Sequence, residues 1–252
     1  MESDSFQSPR RAIATPVLPE LSPLWQATLG AAAPTPEVRD RFQLLYEGIL
    51  AGNRQLNLTR ITDPEAFWEK HLWDSLRGIA AILNAPASEL PTPCRIVDIG
   101  TGAGFPGLPI ALARPDWQVT LVDSTQKKVR FLNALIDDLA IANGTAIAGR
   151  AEKLGRIPPY RGAYDWATVR AVGTPSACAR YVFPWLKPGG QAVLYRGRWT
   201  EEDRDDLQAT LQELGGAIAT VDAFETPISH AVRHSVYLQR FYSHQSPVTS
   251  HQ

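Results

Sequence analysis

Residues 95–107 read Arg95-Ile96-Val97-Asp98-Ile99-Gly100-Thr101-Gly102-Ala103-Gly104-Phe105-Pro106-Gly107, and this stretch decides the fold. A short apolar run passes straight into glycines at 100, 102, 104 and 107, and helix-forming residues follow. Glycine belongs where the backbone must turn sharply and where a ligand must come within contact distance of it. Strand, glycine loop and helix in succession open a doubly wound sheet, whose ligands lie across the carboxyl ends of its strands. The dinucleotide fingerprint wants glycines at its first, third and sixth positions. Counted from Gly100, the sixth position is Phe105; counted from Gly102, the match at Gly104 and Gly107 starts late and puts Pro106 at the helix entry. No Gly-Lys-Ser/Thr follows, so the loop is no P-loop either.

Outward from the loop the chain alternates. After the strand Arg95–Ile99, the spacing predicts a helix near Pro109–Ala113 and a second strand at Val119–Val122. Ser124 then caps a helix whose Val129, Leu132, Ile136 and Leu139 recur at the helical period. Thr145–Ala148, Trp166–Val169 and Gln191–Tyr195 are further strands separated by helix-length segments, the pattern of a parallel sheet covered on both faces. Ile218–Ala223 and Ser235–Gln239 have no long helix between them and are expected to form an antiparallel hairpin at one edge. The expectation is an α/β, Rossmann-like, mostly parallel seven-stranded sheet occupying residues 91–242.

Upstream the rhythm is helical. Phe42, Leu45, Ile49 and Leu56 keep a helical spacing after Pro36 and Glu37, and Asp63-Pro64-Glu65 reads as an N-cap with proline at the first helical position. Phe67, His71, Leu72, Leu76, Ile79 and Leu83 continue one stripe until Pro86, Pro91 and Pro93 break it, so residues 37–90 form an N-terminal helical cap. Six prolines (9, 16, 19, 23, 34 and 36) make residues 1–36 a flexible extension with a short helix around Leu21–Gly30. The polar tail 243–252 is expected to be disordered.

The 252 residues carry 25 Lys plus Arg against 26 Asp plus Glu, a net charge of −1. That balance excludes a histone-like basic protein and an acidic solvating chain, but leaves room for a nucleic-acid enzyme with a local basic patch. Cys94 and Cys178 cannot build a disulfide framework, which suits a reducing compartment. No window approaches the roughly 18 to 20 apolar residues of a membrane helix, and the N-terminus lacks a secretory pattern. The expectation is a soluble, cytoplasmic protein with no membrane partner.

An acid before Gly-x-Gly-x-Gly is the pattern of S-adenosylmethionine (SAM) methyltransferases. That cofactor has no phosphate to cradle; its ribose diol, amino-acid end and sulfonium call for close backbone and carboxylates. Gly100 and Gly102 supply the backbone. Asp123, at the end of the second strand and 19 residues beyond Gly104, supplies a carboxylate able to accept from both ribose hydroxyls. It can equally be an acid at a helix start beside Ser124. Ala151 and Glu152 follow the third strand, where the sheet geometry expects the adenine, although Glu152 also reads as an ordinary solvated helix start.

Leu56-Asn-Leu-Thr59, His71-Leu-Trp-Asp-Ser75, Val97 to Gly107, Leu121-Val-Asp-Ser124, Lys127-Lys-Val-Arg-Phe-Leu132, Arg170-Ala-Val172 and Arg233-His234 together resemble the RsmG (GidB) family of bacterial 16S ribosomal RNA guanine-N7 methyltransferases. The likeness covers roughly residues 37–240, in order. It implies a class I SAM-dependent methyltransferase domain with a helical cap, SAM as cofactor, and one guanine of 16S rRNA (position 527 in the usual ribosomal numbering) as target, on naked RNA or the 30S particle. By motif it implies cofactor contacts at Gly100, Phe105, Ala151, Glu152 and Arg170. Arg196-Gly197 stands where the family often has Lys-Gly, and arginine and lysine differ in geometry.

Guanine N7 is a bare lone pair, so its methylation needs positioning and electrostatics and no general base. The positioning candidates are Arg170, Arg196, and His71 with Asp74, three apart on one helix face, which either faces the site or steadies the cap. His230, His234, His244 and His251 show no metal-ligand spacing with the cysteines, so no metal is expected. From Trp166 through Thr200 there is no acid but five cations (Arg170, Arg180, Lys187, Arg196 and Arg198), with Lys127, Lys128 and Arg130 a second group, either an RNA-holding rim or a solvated face. The chain is expected to act as a monomer. Rival readings are a SAM enzyme on another RNA, a protein or a small molecule, a dinucleotide oxidoreductase, and a non-catalytic RNA-binding assembly factor.

Overall fold

The computed structural model describes residues 16–242. Seven strands, β1 (Arg95–Ile99), β2 (Gln118–Asp123), β3 (Gly144–Ala148), β4 (Tyr164–Arg170), β5 (Leu186–Arg196), β6 (Gly216–Glu225) and β7 (Val232–Arg240), make one sheet in the order β3-β2-β1-β4-β5-β7-β6. The first five run parallel, and β7 lies antiparallel to both β5 and β6. Strand alternation splits the core into two layers. Ile96, Val119 and Leu121 pack on one side, and Val97, Ile99 and Val122 on the other.

The cap contains α1 (Ser22–Leu29), α2 (Pro36–Leu56), α3 (Pro64–Phe67), a π-helical turn Trp68–Trp73, α4 (Asp74–Arg77) and α5 (Ala80–Leu83). Asp63 caps α3 as its sequence suggests, its carboxylate accepting from Ala66 N at 2.9 Å. The sheet connections carry α6 (Gly107–Ala113), α7 (Gln126–Asp138), α8 (Ala151–Leu154), α9 (Pro175–Val182) and α10 (Glu201–Leu214). None of the described helices is long and apolar enough to cross a membrane.

Three details depart from the sequence reading. Ser22–Leu29 is the short helix expected there, but it is packed rather than flexible: Trp25 is 1 % exposed, edge-on to Trp68 at 5.1 Å, and Trp73 Nε1 donates to Thr28 Oγ1 at 3.0 Å. Pro23 and Pro36 sit in first turns, where a missing N–H costs nothing, so these prolines start helices. The single stripe over 64–83 is interrupted by the π turn, which a 3.6-residue period does not reveal. At α7 the N-cap position falls on Thr125, not Ser124, and Asp123 Oδ1 accepts from the Thr125 amide. Residues 1–15 and 243–252, with the disorder expected of them, lie outside the described residues.

Polar bonds clamp the cap to the edge hairpin. Tyr195 OH donates to Ser75 O at 2.7 Å, Tyr237 OH to Gly78 O at 2.8 Å, and Arg77 pairs with Asp222 at 2.6 Å. Buried Glu69 accepts from Ile228 N and Ser229 N, at 2.7 and 2.8 Å, in the β6–β7 turn. The cap is thereby fixed over the carboxyl ends of the parallel strands.

Candidate active site

The glycine loop leaves β1 with Gly100 at φ +70° and Gly102 at φ +60°, backbone conformations that suit glycine. A Cβ on Gly100 would strike Val172 Cγ2 at 2.5 Å, whereas one on Gly102 would meet nothing nearer than Gly100 O at 3.9 Å. Gly102 therefore presents bare backbone to open space. The loop amides are already engaged: Gly100 N and Thr101 N donate to Val122 O, and Gly104 N and Phe105 N to Thr101 O. Gly102 N donates to Asp123 Oδ2 at 3.1 Å. A phosphate cradle needs such amides free, so the loop is not built for a pyrophosphate.

Two carboxylates frame the loop. Asp98 is fully buried, accepting from Gly107 N at 3.0 Å and Thr168 Oγ1 at 2.9 Å; burial pushes its carboxyl above the usual range. It joins β1, β4 and the start of α6. Asp123 accepts Gly102 N through Oδ2 and Thr125 N, at 2.8 Å, through Oδ1, so it fixes the loop against β2.

Between loop, cap and hairpin lies a cleft of about 920 Å³. Gly100, Gly102, Phe105 and Asp123 line it from the sheet, His71 and Asp74 from the cap, and Arg170 and Arg196 from the ends of β4 and β5. The volume falls in the range of small-molecule sites, with a few convergent polar groups on apolar walls. Gly102 gives close backbone, Asp123 an acceptor, and Phe105 an apolar surface. These suit a cofactor bearing a ribose diol and no phosphate.

The π turn brings His71 over the loop. Its ring stacks on Phe105 with centroids 4.3 Å apart and planes 7° from parallel. Nε2 lies 2.9 Å from Thr59 Oγ1, and Nδ1 lies 3.5 Å from Arg170 Nη2. A guanidinium has no lone pair, so Nδ1 is the acceptor and Nε2 carries the proton, donating to Thr59. Burial, then the charges of Arg170 and Lys70, lower the His71 pKa to about 3. The ring stays neutral. Arg170 reaches across from β4, donating to Lys70 O at 2.8 Å and to Asp74 Oδ2 at 3.1 Å. Burial raises the Asp74 carboxyl against the lowering pull of Arg170.

The structure thus gathers His71, Asp74, Gly100, Gly102, Phe105, Asp123, Arg170 and Arg196 around one cleft. Ala151 and Glu152 are not among its lining residues; they begin α8, and the Ala151 carbonyl accepts from Trp185 Nε1 at 3.1 Å. The acid-free stretch is mostly neutralised in space: Arg180 pairs with Glu213 and Lys187 with Asp165, at 2.7 and 2.6 Å, away from the cleft. The sequence reading gave no role to Thr59, Lys70, Tyr195, Phe224, Arg233 or His234, all of which line it. For Arg233 and His234 the reason is strand register: β5 pairs with β7 so that Arg196 stands opposite His234. Among the described residues no group of three or more His, Cys, Asp or Glu could hold a metal.

The family model of GidB, rRNA small subunit methyltransferase G, matches residues 39–232. Ribosomal RNA small subunit methyltransferase G of Nostoc punctiforme is 54 % identical over 229 residues, covering 90 % of this chain and 91 % of that protein. The protein of the same name from Microcystis aeruginosa is 48 % identical over 224 residues, covering 89 % and 99 %. Among solved structures, a SAM dependent methyltransferase from Aquifex aeolicus matches with TM-score 0.52 at 15 % identity, covering 73 % of this chain and 96 % of that one. A branched-chain polyamine synthase from Thermus thermophilus matches with TM-score 0.55 at 16 % identity, covering 78 % and 63 %. These structural likenesses speak to fold alone, a mostly parallel doubly wound sheet with an antiparallel edge pair.

Proposed function

This chain belongs to the rRNA small subunit methyltransferase G family, and on that premise we propose that it transfers a methyl group from SAM to N7 of one guanine of 16S rRNA, position 527 in the usual ribosomal numbering. The observation that carries the reading is the cleft. A glycine loop whose amides are engaged internally lies beside a carboxylate, under a mouth lined by Lys70, Lys128, Arg170, Arg196 and Arg233. Gly100, Gly102, Phe105 and Asp123 would hold the cofactor. When bound, the cofactor supplies an electrophilic methyl group on a positively charged sulfur.

The acceptor lone pair carries no proton, so the residues need only bind, align and exclude water. Neutral His71 fits that role: packed on Phe105 and hydrogen-bonded to Thr59, it stiffens the cap over the loop. Arg170 holds cap to sheet through Lys70 O and Asp74. The buried free thiols of Cys94 and Cys178 suit a reducing cytoplasm, where we take the enzyme to work as a monomer. The test is transfer of labelled methyl from SAM to unmodified small-subunit RNA and to 30S particles, followed by mapping of the base. Label on N7 of the single guanine is expected in at least one of them. Label on another base, or on neither substrate, overturns the reading.

A further inference from the structure

Asp74 and Asp123 are the two carboxylates lining the cleft among the described residues. Both Asp123 oxygens are engaged by the loop and α7. Asp74 differs. It stands at the start of α4, directly after the π turn, and is 8 % exposed. Its Oδ2 takes Arg170 at 3.1 Å, while Oδ1 accepts no hydrogen bond from the described residues. Oδ1 is not among the fully enclosed polar atoms, so it is open to the cleft, where a donor on a bound base takes the place of solvent. The neighbouring Tyr195 hydroxyl does not take that place, because it is directed to Ser75 O.

The pairing with Arg170 cancels much of the Asp74 charge, so general attraction for a cationic product is a weak use of it. What remains is a directional acceptor facing the cleft. Building on the methyltransferase reading above, we propose that Asp74 Oδ1 accepts hydrogen bonds from the Watson–Crick edge of the target guanine, from N1–H and the 2-amino group, and so selects guanine. Bases splayed out of RNA are read on that edge. It lies across the base from N7, so a guanine gripped there turns N7 away from Asp74. Adenine offers a lone pair at N1 and a C–H at C2, leaving Oδ1 facing an acceptor. Sites built to bind an N–H reject analogues lacking it far more strongly than apolar pockets reject a missing methylene.

The test uses the full chain, SAM, and small-subunit RNA carrying guanosine, inosine or 1-methylguanosine at the target position. Wild type should prefer guanosine over either analogue in kcat/KM by roughly tenfold or more. In Asp74→Ala the guanosine rate falls and the preference collapses to within about twofold, while the SAM dissociation constant is unchanged. Asp74→Asn keeps the volume, but its carbonyl must face Arg170, which turns the NH₂ donor toward the base. It should therefore be slower than Asp74→Ala on guanosine, and it decides the matter if the alanine variant fails to fold. A full guanosine preference in a folded Asp74 variant overturns the inference alone. No methyl transfer by wild type to the guanosine RNA, free or assembled into 30S particles, overturns the methyltransferase reading, and this proposal with it.

Discussion

Asp123 has acceptor capacity beyond the two bonds that the loop uses. Two of its lone pairs take Gly102 N and Thr125 N, and a carboxylate offers about four acceptor sites, so two remain for the ribose diol. Asp123→Ala should weaken SAM binding roughly tenfold or more, since hydrogen bonds to a charged group are worth about 1.5–3 kcal/mol each before solvent compensation. Unchanged affinity by calorimetry would leave the residue as a loop anchor only. His71 carries a different kind of prediction. Its folded pKa of about 3 lies below the usual 6.5, so between those values the unfolded chain binds the extra proton. Stability from neutral His71 is complete above pH 6.5 and is lost as pH falls toward 3. From pH 7 to pH 5 wild type should lose about 2 kcal/mol that His71→Gln does not lose. Equal acid slopes in urea titrations of the two proteins would show a ring that titrates normally.

At the scale of elements, the helix Ser22–Leu29 is expected as a helix, but composition misleads about its packing. Proline density argues for a loose extension, yet Trp25 and Leu29 are each 1 % exposed. Changing Trp25→Ala in the full chain should therefore cost about 3–5 kcal/mol, the range for deleting a buried tryptophan. A melting temperature unchanged from wild type would return the segment to an appendage. The contrast with β1 shows what a sequence can disclose. Arg95–Ile99 is legible to the residue because apolar strand and glycine loop are local signals. Asp123 was legible too, since a strand end followed by a helix start fixes where a carboxylate points. The meeting of Arg233 and His234 with Arg196 was not, because it depends on antiparallel register between β5 and β7. Nor was the hydrogen bond of Thr59 to His71, which needs the π turn to aim the ring.

The whole molecule is nearly neutral, but its charge is unevenly placed. The cleft lining holds five cations, Lys70, Lys128, Arg170, Arg196 and Arg233, against the two acids Asp74 and Asp123. Compensating acids gather elsewhere, as in Glu201, Glu202 and Asp203 in the first turn of α10. Such an arrangement draws a polyanion toward the cleft while the total stays near zero. Arg196 is the cation best placed to read this field. It ends β5, its Nη1 donates to Gly173 O at 2.9 Å, and no acid pairs with it among the described residues. Arg170, by contrast, is held by Asp74 and Lys70 O and has little left to offer RNA. Arg196→Ala should lower methyl transfer strongly and leave SAM affinity unchanged. If Arg196 holds a phosphate, the slope of log affinity for RNA against log salt should fall by about 0.7, one counterion's share on a single strand. Arg196→Lys should recover part of the activity, because a point charge still holds a phosphate without the planar fork. If Arg196→Ala weakens SAM binding as much as turnover, the residue belongs to the cofactor. If the salt slope and the turnover both stay at the wild-type value, the charge at the end of β5 faces solvent and the RNA enters by another side of the cleft.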